Sequence, residues 1–212
     1  MRITEIFYSL QGEGLLAGVP TVFVRTTGCH LRCSWCDTAY SFYGGEELSV
    51  DEILDEVRQH PTDNVCFTGG EPLIQDEAPE LVETLLNEDY EVVIETSGSL
   101  DLSAYREMQP RENLRLSVDV KLPSSEMTDE NELGELEHLQ PHDQVKFVVA
   151  SQEDYDYAKS VIDKVSTQAP IVVQPVWGKN ETWLAEQILE DGLDVRFSMQ
   201  MHKLLWGEKP GV

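Results

Sequence analysis

The sequence predicts an α/β fold built on a parallel β-sheet. From residue 64 onward, short runs rich in β-branched residues alternate with segments whose apolar residues recur every three to four positions. Strands and helices that alternate in this way form right-handed βαβ units, which make neighbouring strands parallel. Glycine-rich and polar motifs follow several of these strands, and the functional residues of parallel sheets lie at the carboxyl ends of the strands.

The individual elements follow from local composition. Runs of Val, Ile, Thr and aromatic residues between turn residues predict strands at 2–9, 20–27, 64–68, 91–96, 114–121, 145–150, 171–174 and 195–199. Amphipathic spacing predicts helices at 49–59, 78–87, 151–165 and 181–189. Ser49 and Ser151 each precede an acidic residue by three positions, which is typical of a capping box. Residues 124–142 are acidic and weakly patterned, so we expect a surface insertion there.

Composition indicates one domain over residues 1–212, in the cytoplasm. A chain of this length with 41% hydrophobic residues can bury a substantial core. Forty acidic against fifteen basic residues give a net charge of −25, which repels nucleic-acid backbones and is typical of a solubilising, high-salt surface. No apolar run approaches the roughly 20 residues that span a bilayer, and charges interrupt the first residues, so we expect neither a membrane segment nor a signal peptide.

The densest group of reactive side chains is formed by Cys29, Cys33 and Cys36. Thiolates are soft ligands for zinc and iron–sulfur clusters, and a closed zinc site or an ordinary four-iron cluster takes four protein ligands. Three thiolates on a four-iron cluster leave one iron open for another ligand. We therefore favour an open iron–sulfur cluster, with zinc or a disulfide as the alternatives. Cys66 lies inside an apolar strand and is expected to be a small buried hydrophobe.

Four other sites have a functional and a structural interpretation. The Gly-Gly-Glu-Pro run at 69–72 allows close approach of a ligand, or is a plain turn before a helix. Arg25 suits a carboxylate, or forms a surface salt bridge. Asp37 and Thr38 offer oxygen ligands for Mg²⁺, or cap the following turn. His202 is a proton carrier near neutral pH, or a hydrogen-bonded structural residue.

Taken together, these segments resemble one family, the 7-carboxy-7-deazaguanine synthases of the radical SAM superfamily. The superfamily has this cysteine spacing, with an aromatic residue before the last cysteine, and its open iron chelates S-adenosylmethionine. The matching segments are residues 9–14, 18–20, 23–25, 28–29, 33–38, 68–72, 95–98 and 200–203, and they follow the family's order. The Gln-Gly-Glu-Gly run at 11–14 is more specific than the cysteine spacing.

The resemblance implies a reaction and its cofactors. The family converts 6-carboxy-5,6,7,8-tetrahydropterin into 7-carboxy-7-deazaguanine with loss of ammonia, on the pathway to queuosine and archaeosine. It uses a 4Fe-4S cluster, S-adenosylmethionine as a regenerated cofactor, and Mg²⁺. An electron donor such as flavodoxin or ferredoxin is implied. The family's fold is a reduced, incomplete (β/α) barrel of the radical SAM type, usually in a homodimer, which suits a chain shorter than the roughly 250 residues of a full barrel.

The resemblance also implies roles for single residues. The cluster that performs reductive cleavage would be held by Cys29, Cys33 and Cys36, and Mg²⁺ by Thr38. The pterin would be bound by Leu10, Gln11, Gly12, Arg25 and Thr68, and S-adenosylmethionine by Trp35, Gly70, Asp119 and Lys121. Many members have Ser-Pro-Lys where this chain has Asp119-Val120-Lys121. The lysine is kept, and the aspartate is expected to accept a hydrogen bond from a ribose hydroxyl.

Two other functions remain as alternatives. An activating enzyme that makes a glycyl radical on a partner protein has the same cysteine spacing, but it does not need the run at 11–14 or Arg25. A non-enzymatic iron–sulfur or zinc protein would need Cys66 as a fourth ligand.

Overall fold

A nine-stranded sheet organises the part of the chain that this computed structural model describes, residues 1–109, 111–179, 181–209 and 211–212. In chain order the strands are β1 (Arg2–Leu10), β2 (Pro20–Thr26), β3 (Glu46–Glu47), β4 (Asn64–Gly69), β5 (Glu91–Thr96), β6 (Leu114–Val120), β7 (Gln144–Val149), β8 (Ile171–Pro175) and β9 (Arg196–Phe197). Their order across the sheet is β3-β1-β2-β4-β5-β6-β7-β8-β9. Because β3 and β9 lie at opposite ends of this order, the sheet is open, as an incomplete barrel requires.

One strand, β1, runs in the opposite direction to its neighbours. From β2 to β9 each neighbouring pair is parallel, as predicted. In contrast, β1 is antiparallel to both β2 and β3, which the alternation of strands and helices did not predict. The reason is the short connection at 11–19, because a parallel crossover needs about a dozen or more residues and usually a helix. In this hairpin Glu5 lies directly opposite Arg25.

Helices connect most of the parallel strands. They are α1 (Val50–Val57), α2 (Ala78–Asn87), α3 (Ser103–Met108), α4 (Gln152–Ile162), α5 (Glu181–Asp191) and α6 (Met201–Trp206). The predicted capping box at α1 is present, since Ser49 Oγ accepts from Glu52 N and the Glu52 carboxylate accepts from Ser49 N. The sequence did not predict α3 and α6, because six residues are too few to display a helical period. No helix among the described residues has the length and apolar character needed to cross a bilayer.

The core lies between the sheet and the helices. Val22, Phe67 and Ile94 from the strands and Leu81 and Leu85 from α2 are fully buried. Burying side chains of this size provides the main stabilisation of the layer, about 1.5–3 kcal/mol each.

The prediction that residues 124–142 form a surface insertion is wrong for several of them. Ser125 is fully buried, and Leu136 and Leu139 are 2% exposed and pack in the core. Short 3₁₀ turns at Pro123–Ser125, Thr128–Glu130 and Leu133–His138 replace a helix here. Turns of this length leave no readable period, so the buried leucines looked like isolated apolar residues.

Candidate active site

One cavity of about 500 Å³ opens at the carboxyl ends of the parallel strands. Arg25, Thr68, Glu95 and Asp119 reach it from the ends of β2, β4, β5 and β6. Every residue that the sequence implicates in binding lines it, namely Leu10, Gln11, Gly12, Arg25, Cys29, Cys33, Trp35, Cys36, Thr38, Thr68, Gly70, Asp119 and Lys121. The fold thus brings segments from distant parts of the chain to one space, while the role of each residue stays a prediction.

The three clustered cysteines lie in the loop that follows β2. All three are unpaired thiols, neither fully buried nor fully exposed, and they line the cavity. Burial raises the pKa of the Cys29 and Cys33 thiols, and Cys36 lies close enough to raise both further. Because metal binding deprotonates cysteine, such thiols become thiolates when a metal occupies the loop.

The donor set fits an iron–sulfur cluster better than a single ion. Among the described residues, no group of three or more His, Cys, Asp or Glu side chains is placed to hold one metal ion. A zinc site would need its ligands within about 2.0–2.3 Å of one point. A cluster spreads its thiolates over several irons, so three thiols around a shared cavity suit it.

The Gly-Gly-Glu-Pro run packs against the cysteine loop. A Cβ at Gly70 would collide with the carbonyl oxygen of Gly28 and lie 2.8 Å from Cys29 Cβ. Glu71 N also donates to Gly28 O at 2.9 Å. Only glycine allows so close an approach, so Gly70 has a packing role in addition to the predicted contact with S-adenosylmethionine.

The carboxylate of Glu71 joins this run to the end of β5. The residue is 1% exposed and accepts hydrogen bonds from Thr96 Oγ1 at 2.8 Å and from the backbone nitrogen of Ser97 at 2.8 Å. These bonds satisfy a buried charge, which would otherwise be costly. The cysteine loop and the ends of β4 and β5 therefore form one connected wall of the cavity.

A buried ionic group, formed by Lys146, Glu13 and Glu95, also lines the cavity. Lys146 Nζ lies 3.1 Å from Glu13 Oε2 and 3.0 Å from Glu95 Oε2. Burial would raise the pKa of Glu13, but the ammonium of Lys146 and hydrogen bonds from Gln200 and Gln174 lower it to about 2. Burial also opposes the charge of Lys146, but Glu13 and Glu95 together raise its pKa well above the usual value. Glu13 and Lys146 are therefore both charged at neutral pH.

The sequence alone does not assign a role to this ionic group, although it contains one signal of it. Lys146 stands in a strand, Gln144–Val149, whose six residues are all buried. Lysine is almost never fully buried without a partner. A lysine in such a strand therefore predicts nearby carboxylates, but the sequence does not say which ones.

Replacing Lys146 with methionine is expected to lower the free energy of unfolding by about 3–5 kcal/mol, because it leaves two carboxylates facing each other without their cation. Chemical denaturation of the cluster-free protein would measure this. The matched control is Lys159→Met, which removes a solvent-screened ion pair with Asp191 and should lower the free energy of unfolding far less. Equal losses in the two variants would contradict the assignment of a buried ionic group.

Arg25 has a partner within the protein. Its Nε donates to Glu5 Oε1 at 2.8 Å, and its guanidinium lies 5.9 Å from the ring centres of Phe7 and Tyr40. The salt bridge that sequence analysis kept as the alternative is thus present. It uses only Nε, however, and no described residue accepts a hydrogen bond from either terminal nitrogen of the guanidinium. These two nitrogens remain available to a ligand carboxylate.

Tyr40 shares the same acceptor. Its hydroxyl donates to Glu5 Oε1 at 2.8 Å. Burial and this hydrogen bond raise the pKa of Tyr40 to about 12, so the phenol stays protonated and keeps donating at neutral pH. Glu5 therefore fixes Arg25 and Tyr40 together at the rim of the cavity.

Asp37 and Thr38 behave differently from each other. Asp37 Oδ2 accepts from Lys203 Nζ at 2.6 Å and from Gln200 Nε2 at 3.2 Å, which ties the cysteine loop to α6. The Thr38 side chain makes no capping hydrogen bond to the turn at Ala39–Phe42, so the alternative interpretation as a cap is wrong for it. Its Oγ1 lies 3.7 Å from Cys36 Sγ at the cavity wall.

His202 lies over the first loop of the chain. A Cβ at Gly12 would collide with its imidazole, and Met201 N donates to Gly12 O at 2.9 Å. Burial lowers the pKa of His202, so the ring is neutral at pH 7. Glycine at position 12 is thus required for packing as well as being the predicted pterin contact.

Asp119 and Lys121 form an ion pair beside Trp35. Lys121 Nζ donates to Asp119 Oδ2 at 2.8 Å and lies 5.9 Å from the centre of the Trp35 ring. Burial would lower the pKa of Lys121, but the Asp119 carboxylate raises it. The other oxygen, Asp119 Oδ1, is buried and has no hydrogen-bond partner among the described residues. It is an unused acceptor at the cavity wall.

The comparisons with known proteins define the class first. The family model described as the Radical SAM superfamily matches residues 23–191, so the chain belongs to that superfamily. A 7-carboxy-7-deazaguanine synthase of Thermoplasma acidophilum is 40% identical over 212 residues, which is 100% of both chains. One of Koribacter versatilis is 39% identical and covers 97% of each chain. Within the superfamily the chain therefore belongs to the 7-carboxy-7-deazaguanine synthase family.

A solved structure supports the same conclusion. The crystal structure of QueE from Escherichia coli aligns with a TM-score of 0.77 at 26% identity, covering 95% of this chain and 94% of that one. The predicted family and the predicted partial barrel are confirmed. Membership of the superfamily also confirms the 4Fe-4S cluster and S-adenosylmethionine as cofactors. Neither a glycyl-radical activating enzyme nor a non-enzymatic metal protein fits these relatives.

Proposed function

We propose that the chain is a carbon–nitrogen lyase that converts 6-carboxy-5,6,7,8-tetrahydropterin into 7-carboxy-7-deazaguanine with loss of ammonia, in the biosynthesis of 7-deazapurines such as queuosine and archaeosine. The observation that carries the proposal is the cavity of about 500 Å³, which gathers the three clustered thiols, a partly engaged arginine and the carboxylates of Glu13, Glu95 and Asp119. It lies in a chain whose relatives are named for this product.

Cys29, Cys33 and Cys36 are proposed to hold the cluster. A bound cluster supplies the electron for reductive cleavage of S-adenosylmethionine, and the other roles belong to the chain's own residues. Cys66 is left out because it packs with Phe23 and Val93, away from the main core, and burial raises the pKa of its thiol strongly. Cys66 also lies on β4, apart from the loop that holds the other three cysteines, and we expect it to act as a small buried hydrophobe.

Trp35, Gly70, Asp119 and Lys121 are proposed to bind S-adenosylmethionine. The best support comes from Asp119, whose Oδ1 is buried without a partner among the described residues. A buried acceptor without a donor is costly, and a ribose hydroxyl would satisfy it. This supports the aspartate as a substitute for the serine that many members carry.

Leu10, Gln11, Gly12, Arg25 and Thr68 are proposed to bind the pterin. Arg25 is suited to the substrate carboxylate because its two terminal nitrogens can donate in parallel. Gln11 Nε2 donates to Cys66 Sγ at 3.6 Å, which fixes the Gln11 side chain where it lines the cavity. The pterin would then lie between the β1–β2 hairpin and the end of β4.

Thr38 is proposed as the protein ligand of Mg²⁺. Mg²⁺ prefers oxygen ligands and keeps waters or substrate oxygens in its shell. We expect Thr38→Ala to weaken the stimulation of turnover by added Mg²⁺, and Thr38→Ser, which keeps the hydroxyl, to preserve it. Turnover measured over a Mg²⁺ titration distinguishes the variants. Superimposable curves for wild type and Thr38→Ala would remove this residue from the metal site.

The partners and setting are proposed as well. We expect residues 1–212 to form a single domain. A cytoplasmic location and an electron donor such as flavodoxin or ferredoxin suit a thiolate-held cluster, because such a cluster needs reducing conditions. The charge of −25 is unfavourable for nucleic acid and anionic membranes.

Leu204, Leu205 and Trp206 on α6 are exposed and would suit a second copy of the chain. Sedimentation of wild type and Leu205→Asp tests the homodimer.

The decisive experiment is anaerobic reconstitution with iron and sulfide, followed by incubation with carboxytetrahydropterin, S-adenosylmethionine and a reductant. We expect 7-carboxy-7-deazaguanine and ammonia in equal amounts, without net consumption of S-adenosylmethionine. A protein that loads its cluster and cleaves S-adenosylmethionine but leaves the pterin unchanged would refute the proposed substrate.

A further inference from the structure

The cysteine loop is held from one side by the turn at residues 122–127, which follows β6. Ser34 Oγ donates to Ser124 O at 2.5 Å, and Ser34 N donates to Ser125 O at 3.2 Å. The side chain of Ser124 makes a third contact, because its Oγ accepts from Trp35 Nε1 at 3.3 Å. Two consecutive residues between Cys33 and Cys36 are therefore fixed by this one turn.

Asp154 on α4 holds this turn in place. Asp154 is fully buried, and its carboxylate accepts from Ser124 N at 2.8 Å, from Ser124 Oγ at 2.5 Å and from Ala150 N at 2.8 Å. Hydrogen bonds to an ionised acceptor are about twice as strong as those between neutral groups. Three such donors around one buried carboxylate make a rigid anchor.

The carboxylate of Asp154 is used in an unusual way for its position. In a capping box the third helical residue bonds back to the backbone nitrogen of the N-cap residue. Here Ser151 Oγ accepts from Asp154 N at 3.2 Å, so half of the predicted box is present. The other half is missing, because the carboxylate is turned to Ala150 and Ser124 instead. The Asp154 carboxylate at the start of α4 therefore stabilises the turn at 122–127 rather than the first turn of its own helix.

The hydroxyl of Ser124 links the anchor to the cavity. It donates to Asp154 Oδ2, so its lone pairs are left to accept from the indole of Trp35. A hydroxyl that donates to a carboxylate is polarised and becomes a better acceptor. Trp35 lines the cavity, whereas Ser124 and Asp154 do not, so these two residues act on the site only through others.

We propose that Asp154 and Ser124 are positioning residues, which hold Trp35 and the segment between Cys33 and Cys36 in the arrangement that binds the cluster and S-adenosylmethionine. This inference rests on the proposed role of the cysteine loop. Groups that support metal ligands from behind commonly change affinity by about 10–100-fold when they are removed.

A double-mutant cycle tests the link between Ser124 and Trp35. Ser124→Ala, Trp35→Phe and the double variant are reconstituted anaerobically, and S-adenosylmethionine affinity is followed by the change in the cluster's electron paramagnetic resonance spectrum. Each single change should weaken binding about fivefold, the equivalent of about 1 kcal/mol for one hydrogen bond. The double variant should be no weaker than the worse single variant, and Ser124→Thr should restore binding. Additive losses would overturn the link.

The anchor is tested separately by iron release to a chelator. We expect Asp154→Asn to release iron about tenfold faster than wild type, because an amide cannot accept from all three donors. Asp156→Asn, an exposed change two residues along α4, is the control and should behave as wild type. Wild-type release rates in Asp154→Asn would overturn the positioning role alone. A wild-type protein that binds no cluster would overturn both this inference and the proposed function.

Discussion

Alanine at Cys29, Cys33 or Cys36 is expected to abolish the iron-dependent absorbance of the reconstituted protein, whereas Cys66→Ala should keep it. The three clustered thiols line the cavity, and Cys36 lies close enough to Cys29 and Cys33 to raise the pKa of both. Each is proposed to bind one iron, and a cluster left with two protein ligands loses its iron. Cys66 is 1% exposed and packs with Phe23 and Val93, so we expect it to contribute packing rather than a ligand.

The measurement is iron and sulfide content per chain after reconstitution, together with the visible absorbance spectrum. Cys66→Ala is the matched control, since it removes a thiol of the same chain without touching the loop. Loss of the cluster in Cys66→Ala, with retention in one of the three loop variants, would mean that the ligand set has been assigned wrongly.

The second large effect is expected at Arg25. Arg25→Ala should raise the Michaelis constant for the pterin by about 30- to several thousand-fold, which corresponds to the roughly 2–5 kcal/mol lost when a desolvated charge loses its partner. Iron content and cleavage of S-adenosylmethionine without substrate should stay as in wild type, because Arg25 lies on β2 and supplies no cluster ligand.

Arg25→Lys separates charge from geometry. Lysine keeps the positive charge but lacks the planar fork that matches a carboxylate, so we expect an intermediate Michaelis constant. Steady-state kinetics over a wide range of pterin concentrations would measure both variants. Normal binding and turnover of the pterin by Arg25→Ala would show that Arg25 does not hold the substrate carboxylate.

The sequence predicted those parts of the fold that have strong local signals. The helix Ala78–Asn87 and the strand Glu91–Thr96 have the predicted bounds, because a helical apolar face and a β-branched run are each visible without knowledge of their neighbours. The two six-residue helices α3 and α6 and the two-residue strand β3 are not predicted. They are held by contacts with the rest of the protein rather than by a pattern of their own.

The candidate active site shows the same difference between features with a local sequence signal and features that depend on distant contacts. The binding residues that the sequence predicts lie in short motifs, and all of them line one cavity. The sequence did not reveal partners that depend on strand pairing. Glu5 meets Arg25 because the two residues face each other across an antiparallel ladder, and that ladder was not predicted. Similarly, nothing local connects Asp154 with Ser124, which lies 30 positions earlier.

The ionic group around Lys146 also constrains the order in which the protein can assemble. Lys146 is 133 positions from Glu13 and 51 from Glu95 along the chain. Contacts between such distant positions form late in folding, because a long loop must close before they contribute. The part of the cavity that Lys146 lines therefore forms only after β7 has joined the sheet. A growing chain would display its cysteine loop early, yet it would gain a complete reaction chamber only after more than half of the protein had folded.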